Sequence, residues 1–431
     1  MLRALPTVPT RELVSSQHLR SLPHPDKASS FSSIIFSSDG KRLLAGGYPE
    51  GTVVQYDLAS GSRLLEIATG KTWRGNSRYV NLMPDTKSFF VIHERFARIE
   101  RFQKEEKQFT RYVGATGIKR WSLETGELLW KDTRPDQGRL ISLKLSPDGQ
   151  KMVVMEEPPG EYPRGEHGML RSWQGDTSTG KLQPLPEQIS GLGVFSSDSQ
   201  AFLTNTFDKL GYSTGIRWLH GITFDTLGSW DIKEPLSYAE MGWPLPDQQL
   251  LYVHTIYPRL NQANAVSRRL MLLRYGKQGA VPEVMFENFK DCSSLLLHHD
   301  RQSLFYVKKD STDFTLKQWR WADRREVLSV ALPTEPGRAY NDVIAISPDG
   351  KLLALAHFAQ TPKELENLDD LRPEMLNQPR IILVDVQNGK VAGTLVSPPA
   401  FIGGLAFSPD GKQLISSGSG CLHLWDVSEW K

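Results

Sequence analysis

The chain has 431 residues and carries 51 basic against 49 acidic side chains, a formal net charge of +2. Bulk charge therefore points to neither nucleic acid nor an acidic surface as a partner. Hydrophobic residues at 39% and charged residues at 23% place it among soluble globular proteins with material for a large core. Cys292 and Cys421 form no zinc or disulfide spacing. No apolar run nears the ~18 residues of a membrane span, and "MLRALPTVPTRELVSSQ" lacks the apolar centre of a signal peptide. A cytoplasmic location is the expectation.

Along the chain, Gln17–Pro23 reads as a strand standing alone. The first hairpin follows as "FSSDGKRLLAGG" around Asp39, and its turn recurs to the end. Strong copies are "LSPDGQKMVVME" at Asp148, "ISPDGKLLALAH" at Asp349 and "FSPDGKQLISSG" at Asp410. Weaker ones are "LMPDTKSFFVIH" at Asp85, "FSSDSQAFLTNT" at Asp198, "PLPDQQLLYVHT" at Asp247 and "LHHDRQSLFYVK" at Asp300. In such a turn proline pre-sets φ, aspartate bonds its own backbone, and glycine accepts the left-handed geometry that follows. The eight aspartates stand 46 to 63 residues apart, the signature of a repeat architecture.

Each anchor is followed by a second hairpin, as in "TVVQYDLASGSRLLEI", "GIKRWSLETGELLW", "TLKQWRWADRREVLSV" and "RIILVDVQNGKVAGTL". A unit is thus strand a, the aspartate turn, strand b, a connection, strand c, a short turn and strand d. Strands such as "KLLALAH" are apolar on both faces, which suits a sheet packed between two neighbours. That is a propeller blade. Over essentially its whole length the chain resembles the WD-repeat and WD-like β-propellers, above all the variants defined by the "SPDG" turn. The Trp-Asp dipeptide itself occurs once, at Trp425-Asp426; elsewhere the position reads Tyr56-Asp57, Trp121-Ser122, Trp173-Gln174 or Val384-Asp385, and the Gly-His pair is absent.

The predicted fold is all-β, a single eight-bladed β-propeller of four-stranded blades. Blades are expected at 31–67, 77–131, 138–185, 190–231, 237–286, 292–332, 341–396 and 401–427. The last owns only three strands before the sequence ends, so Gln17–Pro23, within 16–23, is expected to supply its fourth and close the ring non-covalently.

The a–b and c–d turns are uniformly short, whereas several b–c connections are long. They are "ERFARIERFQKEEKQFTRYVGATG" (Glu94–Gly117), "EEPPGEYPRGEHG", "YPRLNQANAVSRR" and "AQTPKELENLDDLRPEMLNQP". The first, mixed in charge, reads as a hairpin or helix. The last reads as a short helix capped at Thr361, with Pro362 at its first position and Glu364 completing a capping box. Long loops on one face suggest recognition. Candidate partner-binding residues are Arg95, Arg98, Arg101, Tyr162, Arg164, Tyr257, Arg259, Glu366, Asp369 and Asp370, on the interface preference for arginine and tyrosine and on an acidic stretch in the seventh blade.

Chemical motifs are weaker. "GYSTG" (Gly211–Gly215) matches a nucleophile pattern that needs a strand before the serine and a helix after it, yet it runs into a predicted strand. "ATGKT" (Ala68–Thr72) lacks the first glycine of a phosphate loop. His298 and His299 are adjacent on an extended chain and point apart. His93, His254 and His357 share a place late in strand b of three blades. "ETGELLW" (Glu124–Trp130) resembles the tryptophan-docking turn of eight-bladed quinoprotein dehydrogenases. No catalytic residue, metal or cofactor is assigned. The expected function is a non-catalytic scaffold, monomeric alone, that binds another protein on its b–c face; the alternative is an enzyme or small-ligand binder using the central channel.

Overall fold

The computed structural model describes residues 17–23, 30–48, 52–68, 80–83, 87–104, 107–132, 138–157, 161–163, 171–185, 193–207, 213–232, 237–256, 267–276, 280–287, 289–310, 313–333, 338–359, 379–397, 402–418 and 420–430. They form strands almost throughout, with single 3-10 turns at Phe289–Asp291 and Ser428–Trp430. The strands make eight antiparallel sheets, the blades of a β-propeller.

In chain order, β1 (His18–Pro23) stands ahead of the first blade, which is β2 (Ser30–Phe36), β3 (Arg42–Tyr48), β4 (Thr52–Asp57) and β5 (Arg63–Ala68). The second blade is β6 (Val80–Leu82), β7 (Ser88–Lys104), β8 (Lys107–Ser122) and β9 (Leu128–Lys131). The third holds β10 (Arg139–Leu145), β11 (Lys151–Glu157), β13 (Arg171–Asp176) and β14 (Leu182–Pro184), with β12 (Glu161–Pro163) leaving it to join the second sheet. The fourth is β15 (Gly193–Phe195), β16 (Ala201–Phe207), β17 (Ser213–His220) and β18 (Thr226–Asp231). The fifth is β19 (Ser237–Leu245), β20 (Gln249–Ile256), β21 (Ser267–Arg274) and β22 (Glu283–Phe286). The sixth is β23 (Cys292–Leu297), β24 (Ser303–Asp310), β25 (Asp313–Arg320) and β26 (Arg325–Ala331). The seventh is β27 (Arg338–Ile346), β28 (Leu352–Ala359), β29 (Arg380–Asp385) and β30 (Lys390–Val396). The eighth is β31 (Gly404–Phe407), β32 (Gln413–Ser417) and β33 (Cys421–Asp426), and its fourth strand is β1, antiparallel to β33 with Ser21 opposite His423 and Pro23 opposite Cys421.

The aspartate turns explain why each a–b hairpin forms where it does. At the first, Ser37 Oγ donates to Asp39 Oδ1 at 2.6 Å, the Lys41 amide donates to the same oxygen at 3.0 Å, and Gly40 takes φ 68°. The same serine–aspartate pair closes the turns at Asp148, Asp198, Asp349 and Asp410. Where glycine is missing its geometry persists: Ser199 has φ 63° and Arg301 φ 50°. The Asp247 turn is built differently. Asp247 and Gln248 both have positive φ (57° and 55°), and Leu245 pairs with Gln249 across a three-residue hairpin loop. Asp85 lies outside the described residues.

The described residues fall into two compact units. One draws on 1–47, 54–64 and 292–431; the other on 48–53 and 65–291. In the first, apolar layers fill the spaces between successive sheets: Leu22, Leu43, Val54, Tyr56 and Leu424 between the eighth and first blades, and Leu353, Leu355, Ile382, Phe305 and Leu316 between the sixth and seventh. In the second, Phe90, Ile92, Met152 and Val154 join the second and third blades, and Leu203, Trp218, Tyr252 and Leu273 the fourth and fifth. Middle strands bury both faces: Leu352 to His357 are all buried.

Candidate functional site

The b–c connection of the second blade is an extension of its two middle strands. β7 and β8 stay paired from Ser88↔Ser122 out to Lys104↔Lys107, with one bulge between Arg95 and Arg98. A bulge adds twist and bends the strand, and beyond it the hairpin continues as an arm to Lys104 and Lys107. The third blade contributes to it: β12, from that blade's own b–c connection, pairs with β8 at Glu161↔Arg111, Tyr162↔Thr110 and Pro163↔Phe109. Two neighbouring insertions thus form one small sheet.

Register fixes which residues stand together on the arm. Glu100, Arg111 and Glu161 occupy one row across its three strands, Phe102, Phe109 and Pro163 the next but one, and Arg101, Thr110 and Tyr162 the row between. Of the candidates, Arg95, Arg98, Arg101 and Tyr162 lie on this arm. Arg164, Tyr257, Arg259, Glu366, Asp369 and Asp370 lie outside the described residues, as does the helix expected after Thr361.

The third blade carries a buried carboxylate. Glu156 is 0% exposed and accepts the Gly138 amide and the Trp173 indole N–H. It ties the chain entering β10 to β11 and β13.

Trp130 connects the second and third blades at their outer strands. Its Nε1–H donates to the Thr177 carbonyl at 2.9 Å, and its ring covers Gly180, whose φ is 70°. A Cβ at Gly180 would stand 2.6 Å from that ring. The tryptophan of "ETGELLW" thus joins these two blades through packing and one hydrogen bond.

Other motif residues have structural surroundings. Ser213 opens β17, so a strand follows the serine where a nucleophile turn needs a helix. His357 is 0% exposed and stacks on Tyr340 with ring centres 4.5 Å apart; His254, 1% exposed, meets Trp230 edge-on. His298 Nδ1 lies 3.0 Å from Asp300, and His299 Nε2 lies 3.0 Å from the Ser347 carbonyl oxygen, so the two rings serve different turns. Among the described residues no three His, Cys, Asp or Glu side chains gather as a metal set, and no helix is long and apolar enough to cross a membrane.

Where β1 meets β33, His18, Ser21, Cys421 and His423 come together, a cluster that sequence reasoning missed. Burial, with His18 nearby, pushes the His423 imidazole down to about 4, and burial pushes the Cys421 thiol up.

Residues 389–426 match the family model described as WD domain, G-beta repeat. The matched stretch begins just before β30, the outer strand of the seventh blade, and ends with β33. One sequence repeat is therefore shared between two blades, and β1 stands beside β33 as the last blade's fourth strand. No curated protein sequence matches the chain at a significant level. Among solved structures, one described as the crystal structure of the eukaryotic initiation factor aligns over 92% of this chain and 86% of its own, with TM-score 0.52 and 15% identity. The β-propeller domain of Myceliophteria thermophila Cps50 (Swd1) aligns over 95% and 99%, with TM-score 0.46 and 12% identity. At 15% identity the first likeness extends to the fold.

Proposed function

We propose that this eight-bladed β-propeller, whose residues 389–426 match the WD domain, G-beta repeat model, is a non-catalytic WD-repeat scaffold that docks another protein on the arm of β7, β8 and β12. The observation that carries the reading is the arm's construction. A blade needs only a short b–c turn, yet this one orders eleven further residues of β7, Glu94–Lys104, and recruits β12 from the next blade. Each ordered residue costs about 1–2 kcal/mol of backbone entropy, and surface decoration would not need a shared main-chain ladder. Arg95, Arg98, Arg101 and Tyr162 are the contact residues of the proposal, with Arg164, Tyr257, Arg259, Glu366, Asp369 and Asp370 supplying further contacts from other b–c connections. Charge of both signs makes association salt-sensitive. A cytoplasmic location and a monomeric state without the partner belong to the same reading.

The test replaces residues 95–115 by a short Gly-Ser turn, which keeps the His93↔Gly117 pair at the top of the blade. The trimmed protein should retain its circular dichroism and lose the partners captured from its host, and R98E with R101E should weaken capture more at low salt than at high. A folded, trimmed protein that captures the same partners with unchanged affinity would sink the proposal.

A further inference from the structure

The seam between β1 and β33 gathers two imidazoles and a hydroxyl. Ser21 stands opposite His423 in the register, and Ser21 Oγ lies 3.1 Å from His423 Nδ1. In a regular strand His18, three residues before Ser21, would point to the other face, because side chains alternate with a period of two. The register shifts between His18 and Arg20, and the extra residue, Leu19, returns His18 to the Ser21 side. His18 Nε2 then lies 3.3 Å from Ser21 Oγ and 3.4 Å from His423 Nδ1.

Three lone-pair atoms thus stand at the corners of a triangle with edges of 3.1, 3.3 and 3.4 Å. The centre of such a triangle is roughly 2 Å from each corner, the length of a zinc–imidazole bond. With bonds of that length, the two nitrogens subtend about 110° at the ion, the angle of a tetrahedral site. A second contact orients the buried ring: His423 Nε2 lies 3.2 Å from Cys421 Sγ. With the proton on Nε2 and directed at sulfur, the Nδ1 lone pair faces the triangle, the outer-shell arrangement usual for ligating histidine. His423 is 2% exposed, His18 half-buried and Ser21 exposed, so the outer side is open to an entering ion and a fourth ligand from water. The Trp425 ring, edge-on to His18 at 5.0 Å, closes the inner side.

We propose that His18, His423 and Ser21 form a site for a zinc-like divalent cation that fastens the N-terminal strand to the last blade. Two imidazoles select a nitrogen-preferring ion over magnesium or calcium, which take oxygen ligands. The ligands come from residues some 400 positions apart, so the ion binds only when β1 is in place and stabilises the closed blade by mass action.

The experiment uses the full chain after dialysis against a chelator. Co2+ is added while visible absorption is recorded, and Zn2+ while the melting temperature is followed. The wild type should develop the intense visible bands of tetrahedral Co2+ and melt higher in Zn2+, with no response to Mg2+. His18→Ala should lose both responses, and Cys421→Ser should weaken Zn2+ binding by about tenfold. Ser21→Ala, which removes one exposed hydroxyl and spares the fold, should shift the Co2+ bands. No Co2+ band and no change in melting in the wild type, an unshifted spectrum in Ser21→Ala, or binding by a folded His18→Ala protein as tight as the wild type's would each overturn the proposal.

Discussion

Leu22→Ala tests the closure of the last blade at a single side chain. Leu22 is 1% exposed and packs with Leu43, Val54, Tyr56, Ile415, Leu422 and Leu424. Burying a leucine and then truncating it costs about 2–5 kcal/mol, depending on how far the surroundings collapse. An outer strand can shift inward, so the lower part of that range, about 2–3 kcal/mol, applies here. If β1 detaches as a local unit, this loss falls directly on the opening equilibrium of the strand. The Asp426 amide, which donates to the Gln17 carbonyl at 2.8 Å, reports that opening. Its hydrogen exchange should accelerate by about 30- to 150-fold, since each 1.4 kcal/mol is a factor of ten. Leu19→Ala is the control: that side chain is 49% exposed on the same strand and should change stability by no more than ~0.5 kcal/mol. Equal effects of the two substitutions, or unchanged exchange at Asp426 in Leu22→Ala, would refute the account of the seam.

Trp130→Ala removes the half-buried ring and its bond to Thr177 and should cost about 2–4 kcal/mol by urea denaturation. Gly180→Ala, forced into positive φ beneath that ring, should cost at least ~1 kcal/mol. Arg301→Gly relieves a non-glycine residue at φ 50° and should raise the urea midpoint, by about 1 kcal/mol in stability. Carboxyls in the turns are held below the usual range, Asp39 by the Ser37 hydroxyl and the Lys41 amide, Asp57 by the Ser60 amide and hydroxyl, and Asp385 by the Asn388 amide. Each folded-state value lies below the unfolded one, so their stabilisation is complete above the unfolded carboxylate range. It is lost as pH falls through the folded values; His423, held down at about 4 by burial, already withdraws stability as pH falls below the ordinary imidazole range, so the melting temperature should decline from about pH 6.5 and fall further below about pH 4. Ser213 should stay unlabelled by a fluorophosphonate probe, as an ordinary strand hydroxyl does.

The blade count was legible because its signal is local. Serine, aspartate and glycine within four residues make a turn wherever they occur, and even the degenerate turns at Asp198 and Asp300 keep the geometry. The missing fourth strand was legible by counting, since β33 needs a partner and only Gln17–Pro23 was left over. The arm was half legible. A mixed-charge hairpin could be read between Glu94 and Gly117, but the pairing of Tyr162 with Thr110 depends on a strand fifty residues away and leaves no periodic trace. The cluster of His18 with His423 was not legible, because it rests on a bulge at Leu19, a main-chain event with no signature in one sequence.

The pairing of β1 with β33 also sets how the molecule bears mechanical load. In an antiparallel pair the start of one strand lies beside the end of the other, and here Gln17 and His18 sit beside Asp426 and Trp425. Tension applied through the residues flanking these two ends meets the ladder at one rung and opens it bond by bond, as a zip opens, while the same ladder pulled along its length would yield all at once. A pull on the chain's ends should therefore release β1 at low force, with the other blades still intact. The seam is the molecule's mechanical fuse.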